Sequence, residues 1–346
     1  MKLFCAFLLA LVITTKSSSV GNEGDSSEQD DGLPGREALN NFPLIDGHND
    51  LAWNLRRLVR NQLDKFDFSK NLIDDPSWGK VACNTCFTDL PRLRAGKVGG
   101  QFWVAFGSCE TQYKDAVQVA LDQIDVIKNL IRKYHNDLEF VDSSVGILRA
   151  IKRKKIASLI AVEGGHLIDS RMSVLRMFYE LGVRYLTLTQ TCNTPWSDAS
   201  PIDETDEYRK NLTAFGKKII LEMNRLGMMV DLSHVSYGVM FQALNISRAP
   251  VIFSHSAAYS VYAHHRNVQD NILKRMKNNG GIVMVPFYTG FISNGSANVD
   301  SVVGMYFKVI VFKKGAGAAL SSYKNLFFKK QSIKLQGLQP EIGVVI

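Results

Sequence analysis

The chain has little continuous hydrophobic sequence near its start, which argues against a membrane-spanning helix there. The N-terminal apolar run covers residues 3–13, and eleven residues are too few for a typical span. A short basic start precedes this run and small polar residues follow it, which is typical of a secretory signal peptide. We therefore predict a signal peptide over residues 1–19, a flexible acidic leader over 20–41, and a chain that enters the secretory pathway to become extracellular or cell-surface. A buried N-terminal helix is the alternative.

Cysteine is also scarce, with five in 346 residues. One of them, Cys5, lies in the predicted signal peptide, so an even number remains for pairing in an oxidising compartment. Spacing alone does not give the connectivity, and a single C-x-x-C without a second pair is weak support for a redox or zinc-ribbon motif. The four remaining cysteines are Cys83, Cys86, Cys109 and Cys192. The N-x-[ST] triplets, which are candidate glycosylation sites, are at Asn211, Asn245 and Asn294.

A basic patch interleaved with aromatic residues is missing as well, although the net charge is +8. The excess lies in the last 46 residues, which hold seven lysines and a single acid, Glu341. This distribution excludes a nucleic-acid partner, because such a partner needs a basic surface on the folded domain.

The middle of the chain alternates short apolar runs with amphipathic stretches, which predicts a parallel α/β sheet or barrel. A doubly wound nucleotide-binding sheet is disfavoured because no glycine-rich phosphate loop follows the first run. We therefore predict an α/β fold of the (β/α)8 TIM-barrel type. The predicted strands are 43–47, 101–106, 157–162, 184–189, 228–232, 251–254 and 282–287. The predicted helices are 111–134, 173–181, 213–226 and 266–279.

Imidazoles and carboxylates follow four of these predicted strands, at the end where β/α barrels place their active sites. His48 and Asp50 follow the first strand, and residues i and i+2 of an extended segment point the same way. Glu163, His234 and His255 follow three later strands. A single such residue is usually structural, but the set predicts a metal site. His135 and His264 lack this context and are interpreted as surface residues.

The predicted ligands are nitrogen and oxygen donors without a thiolate, which suits zinc. Three histidines and two acids exceed the needs of one catalytic zinc. They suit two ions that share a carboxylate, and Glu163 lies between the two groups in chain order. We therefore predict two Zn²⁺ ions per chain bridged by Glu163, which would activate a water for attack on a carbonyl.

The motifs around these residues resemble those of the membrane dipeptidase (renal dipeptidase) family of zinc metallopeptidases, in order over about residues 42–299. The matching strings are Leu44-Ile-Asp-Gly-His-Asn-Asp-Leu51, Leu93-Arg-Ala-Gly-Lys-Val-Gly-Gly-Gln-Phe-Trp103, Ala157-Ser-Leu-Ile-Ala-Val-Glu-Gly-Gly-His166, Tyr185-Leu-Thr-Leu-Thr189, Cys192-Asn-Thr-Pro-Trp196, Asp231-Leu-Ser-His-Val-Ser236 and Ala249-Pro-Val-Ile-Phe-Ser-His-Ser256.

The resemblance implies a barrel of the metallo-dependent hydrolase kind that hydrolyses dipeptides. It implies that His48 and Asp50 hold one zinc, that His234 and His255 hold the other, and that Glu163 bridges them. It implies that Arg266 binds the substrate carboxylate, which suits the forked guanidinium. It also implies a Cys109–Cys192 disulfide, a homodimer, and a GPI-anchored cell-surface protein.

The chain departs from the family pattern in three places. Gln190 stands where the family has a substrate-binding histidine, and glutamine can donate a hydrogen bond but carries no charge. The block with the last strand and the amine-binding aspartate is missing, so we predict a barrel domain over 42–299 that lacks its last strand, followed by a divergent basic tail over 300–346. The interchain cysteine and an anchor signal are missing with that block.

Two alternatives to an active, C-terminally truncated metallodipeptidase remain. Gln190 and the missing strand suit a catalytically impaired secreted relative that binds metal or a partner. A tail from a shifted reading frame or a retained intron suits a chain that does not fold.

Overall fold

The computed structural model of the chain describes residues 39–40, 42–79, 83, 86–314 and 344–345. The predicted signal peptide, nearly all of the leader and most of the tail lie outside the described residues. Among the residues that are described, no helix combines the length and the apolar character needed to cross a membrane.

Nine strands form one sheet in the described part of the chain. Each of the seven predicted strands overlaps one of them, and β3 and β9 were not predicted. The strands are β1 Leu44–Asn49, β2 Val98–Phe106, β3 Leu138–Phe140, β4 Ile156–Glu163, β5 Val183–Thr187, β6 Met229–Asp231, β7 Ile252–Phe253, β8 Ile282–Val283 and β9 Val344–Val345.

The order across the sheet is β8-β7-β6-β5-β4-β2-β1-β9, and β3 pairs with β4 beside this path. Strand β1 and its successors pair in parallel, whereas β9 pairs antiparallel with β1. The predicted α/β class with a parallel sheet is therefore confirmed. In the described residues β8 and β1 do not pair, so the parallel path has seven strands and does not close there.

Ten α-helices accompany the strands in the described residues. All four predicted helices are present, and the short helices between them were not predicted. The helices are α1 Leu51–Val59, α2 Leu90–Ala95, α3 Ala116–Lys133, α4 Ser144–Lys152, α5 Met172–Glu180, α6 Ala214–Leu226, α7 Tyr237–Ile246, α8 Asp270–Asn279, α9 Thr289–Ile292 and α10 Val299–Lys314.

Side-chain caps fix where several helices begin. The side chains of Asp89, Ser143, Thr213 and Ser236 accept hydrogen bonds from backbone N–H groups in the first turns of α2, α4, α6 and α7. The predicted helix 266–279 begins later, at Asp270, because the Asn267 amide donates to the carbonyls of Tyr262 and Phe291 in a loop. That loop passes along the carboxyl ends of the strands.

Both faces of the sheet are buried. Along β2, Phe102 and Val104 join a smaller cluster with Tyr185, while Trp103 and Ala105 join the larger cluster under the helices. This alternation follows from the two-residue period of a strand. Two buried faces also explain why the strands were continuous apolar runs in the sequence.

Helix α10 lies at the start of the predicted divergent tail, where the sequence showed no clear helix signal. This helix is apolar on nearly all sides, so the sequence showed no amphipathic period to detect. Met305 is fully buried in the main core, and the Lys308 ammonium lies 2.9 Å from an Asp270 carboxylate oxygen of α8. The first part of the tail is thus packed against the barrel.

Candidate metal centre

The five predicted ligands lie together at the carboxyl end of the sheet. His48 is near the end of β1 and Asp50 follows that strand, while Glu163 is the last residue of β4. His234 and His255 follow β6 and β7 within three residues. Since parallel strands all end on one side of a sheet, the topology alone brings these side chains together.

Glu163 lies at the middle of the cluster. Its Oε1 lies 2.8 Å from His234 Nε2, 3.4 Å from His255 Nε2 and 3.9 Å from His48 Nε2. His234 Nε2 and His255 Nε2 are 3.0 Å apart, and His48 Nε2 lies 3.4 Å from Asp50 Oδ2. One carboxylate oxygen is therefore shared by two groups of nitrogen and oxygen donors.

The spacing of these atoms fits a metal ion. Two ligand atoms about 2.0–2.1 Å from one tetrahedral zinc lie roughly 3.3 Å apart. The triangle of Glu163 Oε1, His234 Nε2 and His255 Nε2 has sides of 2.8, 3.4 and 3.0 Å. A second possible combination, with His48, Glu163 and His255, has its ligand atoms within 4.8 Å of one another. The donor atoms thus fit zinc, the metal that the sequence predicted.

Burial sets the charge state of the histidines. It lowers the pKa of His234 well below its usual value, and the positive charge of Arg266 lowers it further. Burial lowers the pKa of His255 in the same way, with a further contribution from His48. Both imidazoles are therefore neutral at physiological pH, and only a neutral imidazole offers a lone pair to a metal.

The backbone of His234 has a left-handed conformation, with φ of 69°. Few residues other than glycine and asparagine adopt it, because Cβ then crowds the carbonyl oxygen. The Ser200 N–H donates to the His234 carbonyl at 2.7 Å, and this bond holds the turn in place. The ring thereby points at Glu163.

The chain also matches a known protein family. The family model described as membrane dipeptidase (peptidase family M19) matches residues 35–315, which is most of the chain. The chain belongs to the membrane dipeptidase family.

Individual relatives support this assignment. Dipeptidase 3 of Mus musculus is 48% identical over 267 residues, which cover 76% of this chain and 51% of the relative. An uncharacterized dipeptidase of Schizosaccharomyces pombe is 44% identical over 269 residues, covering 74% of this chain and 62% of the relative. The chain therefore spans about half the length of the Dipeptidase 3 relatives that it matches.

Solved structures agree on the fold. A structure titled dipeptidase AC, a metallo peptidase of family M19, has a TM-score of 0.67 at 24% identity and covers 78% of this chain and 81% of its own. A Rhodobacter sphaeroides metallo peptidase, liganded with a phosphinate mimic of L-Ala-D-Ala, has a TM-score of 0.66 at 23% identity and covers 78% and 82%.

Arg266, the residue that matches the family's carboxylate-binding arginine, is buried beside the centre. One guanidinium nitrogen lies 3.5 Å from the His255 carbonyl, and the guanidinium carbon lies 5.0 Å from the ring centre of Phe291. The backbone N–H of Arg266 donates to His264 Nδ1 at 3.1 Å. His264 is half-buried beside the centre. The sequence had suggested a position on the open surface instead.

Gln190, which replaces the family histidine, lies in the loop after β5 and close to Gly164. Its Oε1 accepts from the Thr191 N–H at 2.5 Å and from the Thr191 hydroxyl at 2.6 Å. Two donors on the oxygen fix the amide orientation and leave Nε2 as the group available to donate.

The four cysteines of the described residues form two disulfides. Cys109 pairs with Cys192, as the family resemblance implied, and this bond lies next to Gln190. Cys83 pairs with Cys86. This C-x-x-C pair had no role predicted from the sequence, although its spacing was visible.

The candidate glycosylation sites differ in exposure. Asn245 and Asn294 are exposed, and Asn245 Oδ1 accepts from Arg275 at 2.9 Å. Asn211 is half-buried, and its side-chain oxygen lies against Gly238. His135 is exposed, as predicted, and its ring contacts the nearby Arg132 carbonyl.

Three buried polar residues near the ligands escaped the sequence analysis. Tyr185 donates to the Gly47 carbonyl at 2.8 Å and lies 3.4 Å from His48 Nδ1. Asp231 and Ser254 contact the loops that hold His234 and His255. Asp231 opens one of the matched family strings, and its place at a strand end was the available sign.

Proposed function

We propose that this chain is a zinc-dependent metallodipeptidase, as its family membership and buried donor cluster indicate. The observation that supports this best is the single Glu163 oxygen within 3.9 Å of three imidazole nitrogens. Such an arrangement suits a bridging carboxylate between two ions. His48 and Asp50 would hold one ion, and His234 and His255 would hold the other.

Two zinc ions, when bound, would lower the pKa of a water at the centre and polarise the substrate carbonyl. The chain's own residues would bind and orient the dipeptide. The Arg266 guanidinium pairs with the substrate's C-terminal carboxylate, since a planar fork binds a carboxylate with two hydrogen bonds. Gln190 Nε2 donates to the carbonyl oxygen of the scissile bond, because the Thr191 contacts hold its own oxygen away.

A catalytically impaired relative is the second candidate. Gln190 cannot carry a proton as histidine can, and the path of seven parallel strands from β1 to β8 does not close in the described residues. Such a protein would bind metal through the same donors and would turn over dipeptides slowly or not at all.

We also propose secretion, glycosylation at the exposed Asn245 and Asn294, and homodimerisation. The two disulfides agree with an oxidising compartment. The dimer is proposed from the family alone.

Metal content and dipeptide hydrolysis test this function together. We expect two zinc ions per chain by atomic emission and release of alanine from L-Ala-D-Ala. The variant His255→Ala should lose at least one ion and all turnover, whereas His135→Ala, which changes an exposed histidine, should match the parent. Fewer than about one zinc in the parent would contradict the metal site. Normal zinc without hydrolysis would favour the impaired relative.

A further inference from the structure

A fully buried carboxylate lies beneath the metal centre and is not among its predicted ligands. Asp231, the last residue of β6, accepts hydrogen bonds from the Thr187 hydroxyl at 2.6 Å and from the Ser254 hydroxyl at 2.6 Å. It also accepts from the backbone N–H groups of Ser233 at 3.1 Å and Ser254 at 2.9 Å. Four donors on one buried carboxylate satisfy it without a counter-ion.

The two backbone donors stand directly before two predicted ligands. Ser233 precedes His234 and Ser254 precedes His255, and both N–H groups bind the same oxygen, Oδ1. One atom of Asp231 therefore sets the distance between the two loops that present these imidazoles. The Ser233 hydroxyl adds a third tie, because it accepts from the His255 N–H at 3.0 Å.

The side-chain contacts decide which nitrogen of His255 is protonated. The Ser254 hydroxyl has a single proton and donates it to Asp231 Oδ2 at 2.6 Å, so the hydroxyl oxygen presents only lone pairs elsewhere. The same hydroxyl lies 2.8 Å from His255 Nδ1, which must therefore be the N–H. The lone pair of the ring is then at Nε2, the atom that lies 3.4 Å from Glu163.

We propose that Ser254 and Asp231 are positioning residues of the metal centre, which fix the tautomer of His255 and the spacing of His234 and His255. This inference rests on the proposed metal-binding function. Outer contacts of this kind hold a ligating imidazole in its metal-binding tautomer, and their loss typically weakens metal affinity about 10–100-fold.

A matched pair of serine variants separates this role from packing. Ser254 and Ser256 are both fully buried, but the Ser256 hydroxyl makes only a long contact, 3.4 Å to Ser233, among the side-chain hydrogen bonds of the described residues. We expect Ser254→Ala to weaken zinc binding about 10–100-fold in competition with a chromophoric chelator. Ser256→Ala should leave zinc affinity within about threefold of the parent. Ser254→Thr keeps the hydroxyl, so it should bind zinc about as tightly as the parent.

The variant Asp231→Asn tests the tautomer of His255. An amide can donate to Ser254, so the serine proton turns toward His255 Nδ1 and the ring proton moves to Nε2. We expect this change of tautomer in the ¹⁵N NMR shifts of His255 in metal-free protein. Thr187→Val removes another donor to the same carboxylate and should leave the His255 tautomer unchanged.

The tautomer of His255 can also be measured in the metal-free parent protein, so this test does not depend on whether a variant folds. Its His255 should be protonated at Nδ1, and protonation at Nε2 would overturn the proposal. Equal zinc affinities of the two serine→alanine variants would overturn it as well. A parent that binds no zinc at all would contradict the proposed function instead, and the NMR reading would still decide the tautomer.

Discussion

Two histidines of the centre, His48 and His234, are held by partners that are distant in sequence. Tyr185 reaches back to the strand end of His48, and the backbone of Ser200 holds the carbonyl of His234. Burial keeps the His234 and His255 imidazoles neutral, so the centre is prepared to accept a cation. The ligands thus depend on contacts that only the folded chain creates.

Replacing Gln190 by histidine tests the substrate side of the site. A histidine restores the group that the family uses at this position, so Gln190→His should raise kcat/KM for L-Ala-D-Ala. Gln190→Ala removes the proposed donor and should lower kcat/KM by up to about 10²–10³-fold if this donor acts in the transition state, and zinc content should stay constant in both variants. An unchanged kcat/KM in both would show that position 190 does not contact the reacting carbonyl.

The clustering of the candidate ligands could be predicted from the sequence, whereas the contacts that support these residues could not. His48, Glu163 and His255 each follow an apolar run, and a strand end is a local property that a sequence shows directly. Asp231 and Ser254 meet only because β6 and β7 are neighbours in the sheet. Nothing in the linear order predicts that the two loops share one oxygen.

At the scale of elements, the long strands and helices followed their periodicity and the short ones did not. Helix α3 has enough turns to show its apolar stripe, while α2 and α4 are defined mainly by caps at Asp89 and Ser143. Helix α10 lacks a polar face, so its burial against α8 had no sign in the sequence. Tertiary contact, rather than local pattern, decides such elements.

An ion pair between α5 and α6 should stabilise the fold in a pH-dependent way. Glu222 of α6 accepts from Arg225 of its own helix and from Arg176 of α5, and these hydrogen bonds lower its pKa from 4.5 to about 2. The carboxylate therefore stabilises the fold above pH 4.5, and this contribution disappears as the pH falls toward 2.

We expect Glu222→Gln to reduce the free energy of unfolding at pH 7 by about 0.5–1 kcal/mol, since both arginines are largely solvated. The difference from the parent, measured by urea denaturation, should shrink between pH 4.5 and about 2. Glu180→Gln, at an exposed acid ending α5, is the control and should change stability little at any pH. A difference for Glu222→Gln that stays constant with pH would contradict the ion pair.

At the scale of the whole molecule, the parallel sheet begins at β1 and ends at β8 without joining in the described residues. Strand β9 lies along the free side of β1 in the opposite direction, and α10 packs on α8. The prediction of a missing last parallel strand agrees with this arrangement. The antiparallel pairing of β9 could not be foreseen, because two valines hold no register information.

The two disulfides should differ in their effect on global stability. Cys109 and Cys192 are 83 residues apart, whereas Cys83 and Cys86 are three apart. Loop-closure entropy predicts that the longer link restricts the unfolded chain more, by roughly 3 kcal/mol.

We therefore expect the double change Cys109→Ala and Cys192→Ala to lower the free energy of unfolding by about 2 kcal/mol or more beyond the matching change at Cys83 and Cys86. Urea denaturation of metal-free protein measures both. Equal losses would indicate that the unfolded chain is already restricted near Cys109.

His234 combines a left-handed backbone conformation with an imidazole that the proposed metal centre needs. Glycine or asparagine would adopt φ of 69° with less strain, and the difference for a histidine is on the order of 1 kcal/mol. A search for stabilising substitutions would therefore select these residues at position 234 and remove an imidazole from the centre. At this position thermostability and the proposed metal binding are competing objectives, so consensus or computational stabilisation of this protein should hold His234 fixed.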